Sequence, residues 1–289
     1  MVFKKVFKKI HDYGILVMFS HTIFSFSFAL ISMLLAAKGL PDMHTLIWII
    51  VAFMGARTGA NAINRVIDAE IDAKNPRTAN RQIPQGSMSK KEAMIFSIAC
   101  FVIFEVAAYK LNLLCFILSP IALAMMIGYS YTKRFTWACH IVLGITSAIA
   151  PVGAWIATTG RLGIMPLILG AANFLWVAGF DIIYGTQDYE FDTQNGIYSI
   201  PAYFGIKKAL WISNIFHILA VILLVLVGIF SNSLGIIFYI GIMIISVLLV
   251  IEHLSVSHEN LKKVNFAAYN LNQIISLTFL IMTVLDIFV

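Results

Sequence analysis

Apolar residues along this chain run in long, almost uncharged blocks separated by short polar connections. Nine blocks are long enough to cross a ~30 Å hydrocarbon core: about 14–37, 43–66, 91–109, 112–131, 138–159, 163–184, 209–230, 233–252 and 267–288. They are too long and unbroken for barrel strands, so they predict helices, which satisfy their own backbone groups in lipid. The expected fold is an all-α polytopic membrane protein, a single membrane-embedded domain over residues 1–289 with nine transmembrane helices around a central cavity. Ahead of the first block, Lys4, Lys5, Lys8 and Lys9 are interleaved with Phe3, Val6, Phe7 and Ile10. That pattern predicts a short interfacial amphipathic helix. More than about 20 uncharged residues follow, so the first block reads as a retained span rather than a signal peptide.

Composition agrees. Of 289 residues, 60% are hydrophobic and 12% charged, whereas a soluble domain carries about a quarter charged residues. The net charge of +6 therefore reads as loops facing an anionic leaflet, not as a nucleic-acid surface. The basic residues also set an orientation. The N-terminus, the 67–90 loop, Lys133–Arg134 and the 185–208 and 253–266 loops fall on one side of a nine-helix path. Only Lys38, Lys110 and Arg161 fall among the loops of the other. The expectation is a multi-pass protein of the cell (inner) membrane with its N-terminus cytoplasmic and its C-terminus outside. Cys100, Cys115 and Cys139 are scattered in apolar runs and show neither a disulfide framework nor metal-ligand spacing.

Two acidic clusters break this apolar background. The first is Asn64-Arg-Val-Ile-Asp68-Ala-Glu-Ile-Asp72. Positions i, i+4 and i+8 share a helical face about 12 Å long, and like charges four apart repel. Such a face calls for a cation, and oxygen ligands suit Mg²⁺, which takes one or two carboxylates together with phosphate oxygens and water. A solvated helix end explains this cluster alone equally well. The second cluster, Asp181-Ile-Ile-Tyr184-Gly-Thr-Gln-Asp188-Tyr-Glu-Phe-Asp192, emerges on the same side. Asp68 and Asp188 lie 120 residues apart, as do Asp72 and Asp192, which suggests pseudo-repeats. Two such sets at one membrane face point to Mg²⁺ around a diphosphate.

Basic partners accompany them. Arg57 lies within the second apolar block, seven residues before Asn64, at a depth where an arginine is costly and marks a functional site. Arg77 and Arg81 follow in the 67–90 loop, and Lys133 comes four residues after Tyr129. Cations of this kind neutralise diphosphate oxygens. The positive-inside topology signal accounts for Arg77, Arg81 or Lys133 taken singly.

Asn64, Asp68 and Asp72, the Asn-Pro-Arg-Thr loop from Asn75, Tyr129 with Lys133, and Asp181, Tyr184, Asp188 and Asp192 together resemble the UbiA superfamily of intramembrane aromatic prenyltransferases. The stretch from His21 through Ile31 is similar to its 4-hydroxybenzoate polyprenyltransferase branch. One departure is Gln82, where that branch often has proline. The resemblance implies that Asn64, Asp68, Asp72, Asp188 and Asp192 bind Mg²⁺-diphosphate and that Arg77, Arg81 and Lys133 meet the diphosphate. It further implies that Tyr129 and Tyr184 line the substrate site, Arg57 takes the acceptor carboxylate, and Asp181 orients or deprotonates the acceptor. The implied substrates are a polyprenyl diphosphate and a small aromatic acid, 4-hydroxybenzoate first, in ubiquinone or menaquinone biosynthesis. A 1,4-dihydroxy-6-naphthoate-type acceptor of the futalosine route is the alternative. A cation-coupled transporter is the rival class, but its site usually sits at mid-membrane on broken helices. His21 has an equal prospect of touching substrate or of packing between helices. His140, His217, His253 and His258 share no spacing and read as packing or loop residues. Glu105 and Asp286 receive no role.

Overall fold

The computed structural model describes residues 23–289, with side chains from residue 26 onward. The basic N-terminal segment, the first part of the 14–37 block and His21 lie outside the described residues. The described residues form twelve α-helices and no β-strand: α1 Ile23–Ala37, α2 Met43–Ile67, α3 Ala69–Lys74, α4 Lys90–Leu111, α5 Leu113–Thr132, α6 Cys139–Thr159, α7 Ile164–Gly185, α8 Tyr189–Asn195, α9 Ile200–Phe204, α10 Ile206–Phe230, α11 Ile236–Leu254 and α12 Asn272–Phe288. A π-helical turn, Phe266–Leu271, leads into α12. Eight helical segments are long and apolar enough to cross a membrane, and α1 contributes a shorter apolar one. Many of their large apolar side chains face outward: on α4, Ile95, Ile98, Val102 and Ile103 are all exposed. Lipid replaces water around such a helix, so its outer face needs no polar residues.

The chain falls into two compact units, one of Ile47–Tyr131 and one of Ile23–Leu46 with Thr132–Val289. In the first, α2 and α4 approach closely at Gly59, where a Cβ would come within 2.6 Å of the Phe101 ring. Close approach through small residues is how helices gain contact energy in lipid. Ser97 Oγ donates to the Gly59 carbonyl at 2.9 Å beside this contact. The start of α4 is closed by a capping box. Glu92 N donates to Ser89 Oγ at 3.1 Å and Ser89 N to Glu92 Oε2 at 3.0 Å.

In the second unit α7 is the central element, with Leu169, Ala172, Ile182 and Ile183 fully buried. Phe28 of α1 stacks on Trp176 of α7 at 5.3 Å and meets Phe279 of α12 at 4.9 Å. At Gly179 a Cβ would lie 2.4 Å from the His217 ring, so α10 packs directly on the α7 backbone. His217 also hydrogen-bonds His253 at 2.9 Å and the Trp176 carbonyl at 3.2 Å. These two histidines are helix-packing residues; His253 belongs to α11, not to the loop after it. Asn272 donates to buried Glu252 at 2.8 Å and to the carbonyls of Ala267 and Ala268 at 3.2 and 3.3 Å. Its side chain thereby supports the π-helical turn.

Candidate active site

The first acidic motif sits where α2 gives way to α3. Asp68 occupies the junction with φ −88° and ψ 0°, a sparsely populated backbone region in which active-site residues recur. The hydrogen-bond ladder continues across it, from Asp68 N to the Asn64 carbonyl at 2.9 Å and from Asp72 N to the Asp68 carbonyl at 2.8 Å. Asn64, Asp68 and Asp72 therefore keep the shared face that their spacing predicts. Asn64 Nδ2 donates to Asp68 Oδ2 at 2.9 Å and to Ser130 Oγ of α5 at 3.2 Å, leaving Oδ1 for a cation.

Both aspartates of this motif are buried, Asp68 at 2% and Asp72 at 4% exposure. Asp72 Oδ1 takes an ion pair from Arg81 Nη1 at 2.6 Å. Asp72 Oδ2 is buried without a hydrogen-bond partner. A buried carboxylate oxygen left in that state is strongly disfavoured unless a cation or donor answers it. The oxygen-only donor set and this orphaned atom fit Mg²⁺. Among the described residues no three His, Cys, Asp or Glu side chains converge to hold an ion unaided. Mg²⁺ does not need them, because substrate phosphate oxygens and water fill the rest of its sphere.

The loop after α3 folds back on the motif. Thr78 Oγ1 donates to the Asp72 carbonyl at 3.1 Å, and Arg77 N to Asn75 Oδ1 at 2.9 Å. Where the resemblance led us to expect proline, buried Gln82 uses its carbonyl to accept from Ser87 Oγ and Met88 N, each at 3.2 Å. A proline there would keep that acceptor, so the loop closes by the same bonds. Tyr129 of α5 lies within electrostatic reach of Arg57, Arg65 and Asp68. These residues, with Arg57 two turns before Asn64, make up the part of the candidate site that the first unit carries.

The second unit carries Lys133, Asp181, Tyr184, Asp188 and Asp192. Helix α7 ends at Gly185, a 3₁₀ turn Thr186–Asp188 follows, and Asp188 stands at the junction to α8 with φ −96° and ψ 2°. Asp192 is buried and accepts from Ser199 Oγ at 3.0 Å. Ser199 in turn caps α9 by accepting from Ala202 N. The Asp188 carboxylate and the Lys133 ammonium both act electrostatically on Asp192. Lys133 is fixed through its backbone, since Tyr198 N donates to the Lys133 carbonyl at 2.8 Å. Tyr184 meets Tyr269 of the π-helical turn edge-on at 4.6 Å.

His140 carries information that the sequence did not reveal. It is buried at the start of α6, with Nδ1 2.7 Å from Asp181 Oδ2. The two lie 41 positions apart, and spacing alone could not pair them. The Cys139 thiol contacts the Tyr198 carbonyl at 3.5 Å, tying the start of α6 to the segment after Asp192. Glu105, which had no role, accepts from Ser119 Oγ at 2.6 Å between α4 and α5.

Known proteins are similar to this chain in sequence and fold. The UbiA prenyltransferase family profile matches residues 25–274. A protein named 4-hydroxybenzoate octaprenyltransferase from Francisella tularensis subsp. novicida (strain U112) is 30% identical over 221 residues, 76% of this chain and 77% of that protein. One of the same name from Aliivibrio fischeri (strain MJ11) is 33% identical over 174 residues, 60% of this chain and 61% of that protein. Among solved structures, an apo UbiA homologue from Aeropyrum pernix K1 superposes with a TM-score of 0.83 and 31% identity, covering 92% of this chain and 98% of that one. A UbiA homologue from Archaeoglobus fulgidus, solved with GPP and Mg²⁺, gives a TM-score of 0.71 at 21% identity, covering 96% of this chain and 100% of that one.

Proposed function

Because this chain belongs to the UbiA prenyltransferase family, we propose that it transfers a polyprenyl group from polyprenyl diphosphate to an aromatic acid, with 4-hydroxybenzoate as the acceptor, in quinone biosynthesis. The observation that carries the metal-dependent part is the recurrence of one local geometry at both acidic motifs, with Asp72 Oδ2 buried and unanswered. The name of the relatives supports the acceptor, and the bound GPP and Mg²⁺ of the Archaeoglobus homologue support the donor and the ion.

Each residue then has a task. Asn64, Asp68 and Asp72 in the first motif and Asp188 and Asp192 in the second hold Mg²⁺-diphosphate. Bound Mg²⁺ would neutralise the diphosphate oxygens and so ease departure of the leaving group. Arg77 and Lys133 add positive charge to the same oxygens, and Arg81 holds Asp72 in place. Tyr129 and Tyr184 line the substrate site. Arg57 takes the acceptor carboxylate, and Asp181 meets its hydroxyl. Surrounding apolar side chains keep water from the allylic cation.

The balance of the step is simple. The bond from prenyl C1 to the diphosphate oxygen breaks, and its electron pair leaves with diphosphate. The ring carbon ortho to the hydroxyl forms the new C–C bond and loses its proton, which the released diphosphate carries away. We place this chemistry at the cytoplasmic face of the cell membrane, following the basic loops that carry both motifs.

The test is a panel assay on purified protein with an oligoprenyl diphosphate and Mg²⁺. 4-Hydroxybenzoate, 1,4-dihydroxy-6-naphthoate and homogentisate are offered separately, and products are read by mass spectrometry. A prenylated hydroxybenzoate as the preferred product supports the reading, a prenylated naphthoate moves the acceptor, and no product from any of the three overturns it.

A further inference from the structure

His140 lies outside both acidic motifs, yet it makes the one hydrogen bond that Asp181 shows among the described residues. Its imidazole is buried, and the room it fills depends on Gly185. A Cβ at that position would stand 2.8 Å from Cε1 and 3.2 Å from Nε2. The ring is thus held by α7 itself, from which Asp181 also projects. The Asp181 carboxylate is only partly buried, its side chain 25% exposed. Its Oδ2 faces His140 Nδ1, whereas Oδ1 has no hydrogen-bond partner among the described residues. The geometry is that of a carboxylate with one oxygen anchored by the imidazole and part of its side chain still accessible. A carboxylate accepts, so Nδ1–H is the donor.

We propose that His140 is a positioning residue for aromatic prenylation: by donating Nδ1–H to Asp181 Oδ2, it aims Asp181 Oδ1 at the hydroxyl of the acceptor. The idea rests on the proposed function and deepens it. A phenol whose O–H donates to a fixed carboxylate gains electron density at its ortho carbon, the atom that attacks the allylic carbon. The carboxylate must not rotate away as that charge moves, and the hydrogen bond from His140 supplies the restraint. Among the described residues His140 and Asp181 hydrogen-bond each other and no residue assigned to the diphosphate, although the imidazole lies within electrostatic reach of Asp192. Because its hydrogen bond goes to Asp181, removal of the imidazole should be felt chiefly through the acceptor and much less through the donor substrate.

The experiment compares wild type, His140→Leu and His140→Asn as purified full-length proteins, with geranyl diphosphate, Mg²⁺ and 4-hydroxybenzoate. Asparagine places an N–H donor near the Nδ1 position, so it is the rescue variant. His140→Leu is expected to lower kcat/KM for the acceptor about 10- to 100-fold, the scale of one hydrogen bond to a charged group, with KM for geranyl diphosphate within about twofold. His140→Asn should recover most of that loss. Ring-fluorinated hydroxybenzoates, whose phenols are more acidic, should lose less in His140→Leu than the parent acceptor, a trend that a packing defect would not produce. Wild-type acceptor kinetics in His140→Leu would overturn the proposal. So would equal losses toward both substrates, no rescue by asparagine, or a loss independent of phenol acidity. If wild type prenylates no hydroxylated aromatic, the function itself fails, and that result precedes and is distinct from any result on the variants.

Discussion

Asp68 and Asp188 take almost the same backbone conformation, φ −88°, ψ 0° and φ −96°, ψ 2°, although 120 residues separate them. Each stands where a long apolar helix hands over to a short one of six or seven residues. Each is followed four residues later by a buried aspartate held by a partner, Asp72 by Arg81 and Asp192 by Ser199. The halves of the chain thus present carboxylates by the same local device.

If both devices serve one Mg²⁺-dependent reaction, neither is dispensable. Asp68→Asn and Asp188→Asn should each lower kcat by about a thousandfold or more, the scale of losing one preorganised electrostatic element. Thermal unfolding in detergent should stay within a few degrees of wild type. Either variant turning over at the wild-type rate at the same Mg²⁺ concentration would contradict the assignment.

The Arg81–Asp72 pair makes a separate claim about stability. Asp72 is buried, and its partner's side chain is 22% exposed, so solvent screens the pair only in part. Arg81→Ala should destabilise the protein by about 2–4 kcal/mol by leaving a buried charge unpaired. Asp72→Asn in the same background should recover part of that loss. A double-mutant cycle of denaturation free energies with no coupling would show that the ion pair is not formed in solution.

Arg57 tests the acceptor side. It sits two turns before Asn64, about 10 Å along the helix, and within electrostatic reach of Tyr129. Arg57→Ala should cost about 2–4 kcal/mol of transition-state stabilisation in acceptor kcat/KM, with diphosphate binding little changed. A loss confined to the diphosphate KM would move Arg57 to the other substrate.

Packing at α7 makes a prediction unrelated to chemistry. Gly179→Ala would drive a methyl into the His217 ring, which is locked to His253 and to the Trp176 carbonyl. Overpacking of this kind costs about 1–3 kcal/mol. Unfolding of the purified variant should show it, and wild-type stability would mean that α10 stands further from α7.

Apolar run length made the helical, polytopic fold legible, because in lipid no other backbone choice satisfies such runs. The acidic face was legible because a period of four survives the kink at Asp68, where the hydrogen-bond ladder stays intact. What stayed hidden depends on contacts across the fold. His140 finds Asp181 only because α6 lies on α7. The Arg81 guanidinium, readable as another diphosphate cation, also pairs with Asp72. Asn272, which no motif singles out, meets Glu252 and the π-helical turn only in the fold. His253, read as a packing or loop residue, packs from the end of α11 against His217.

One reaction is decisive. In purified protein with an oligoprenyl diphosphate and 4-hydroxybenzoate, diphosphate release and prenylated product are measured together, with Mg²⁺ and with chelator. The account predicts one diphosphate released for each prenylated hydroxybenzoate formed, both abolished by chelator and both restored by Mg²⁺. Diphosphate released without any prenylated aromatic, or transfer that persists undiminished in chelator, would contradict it.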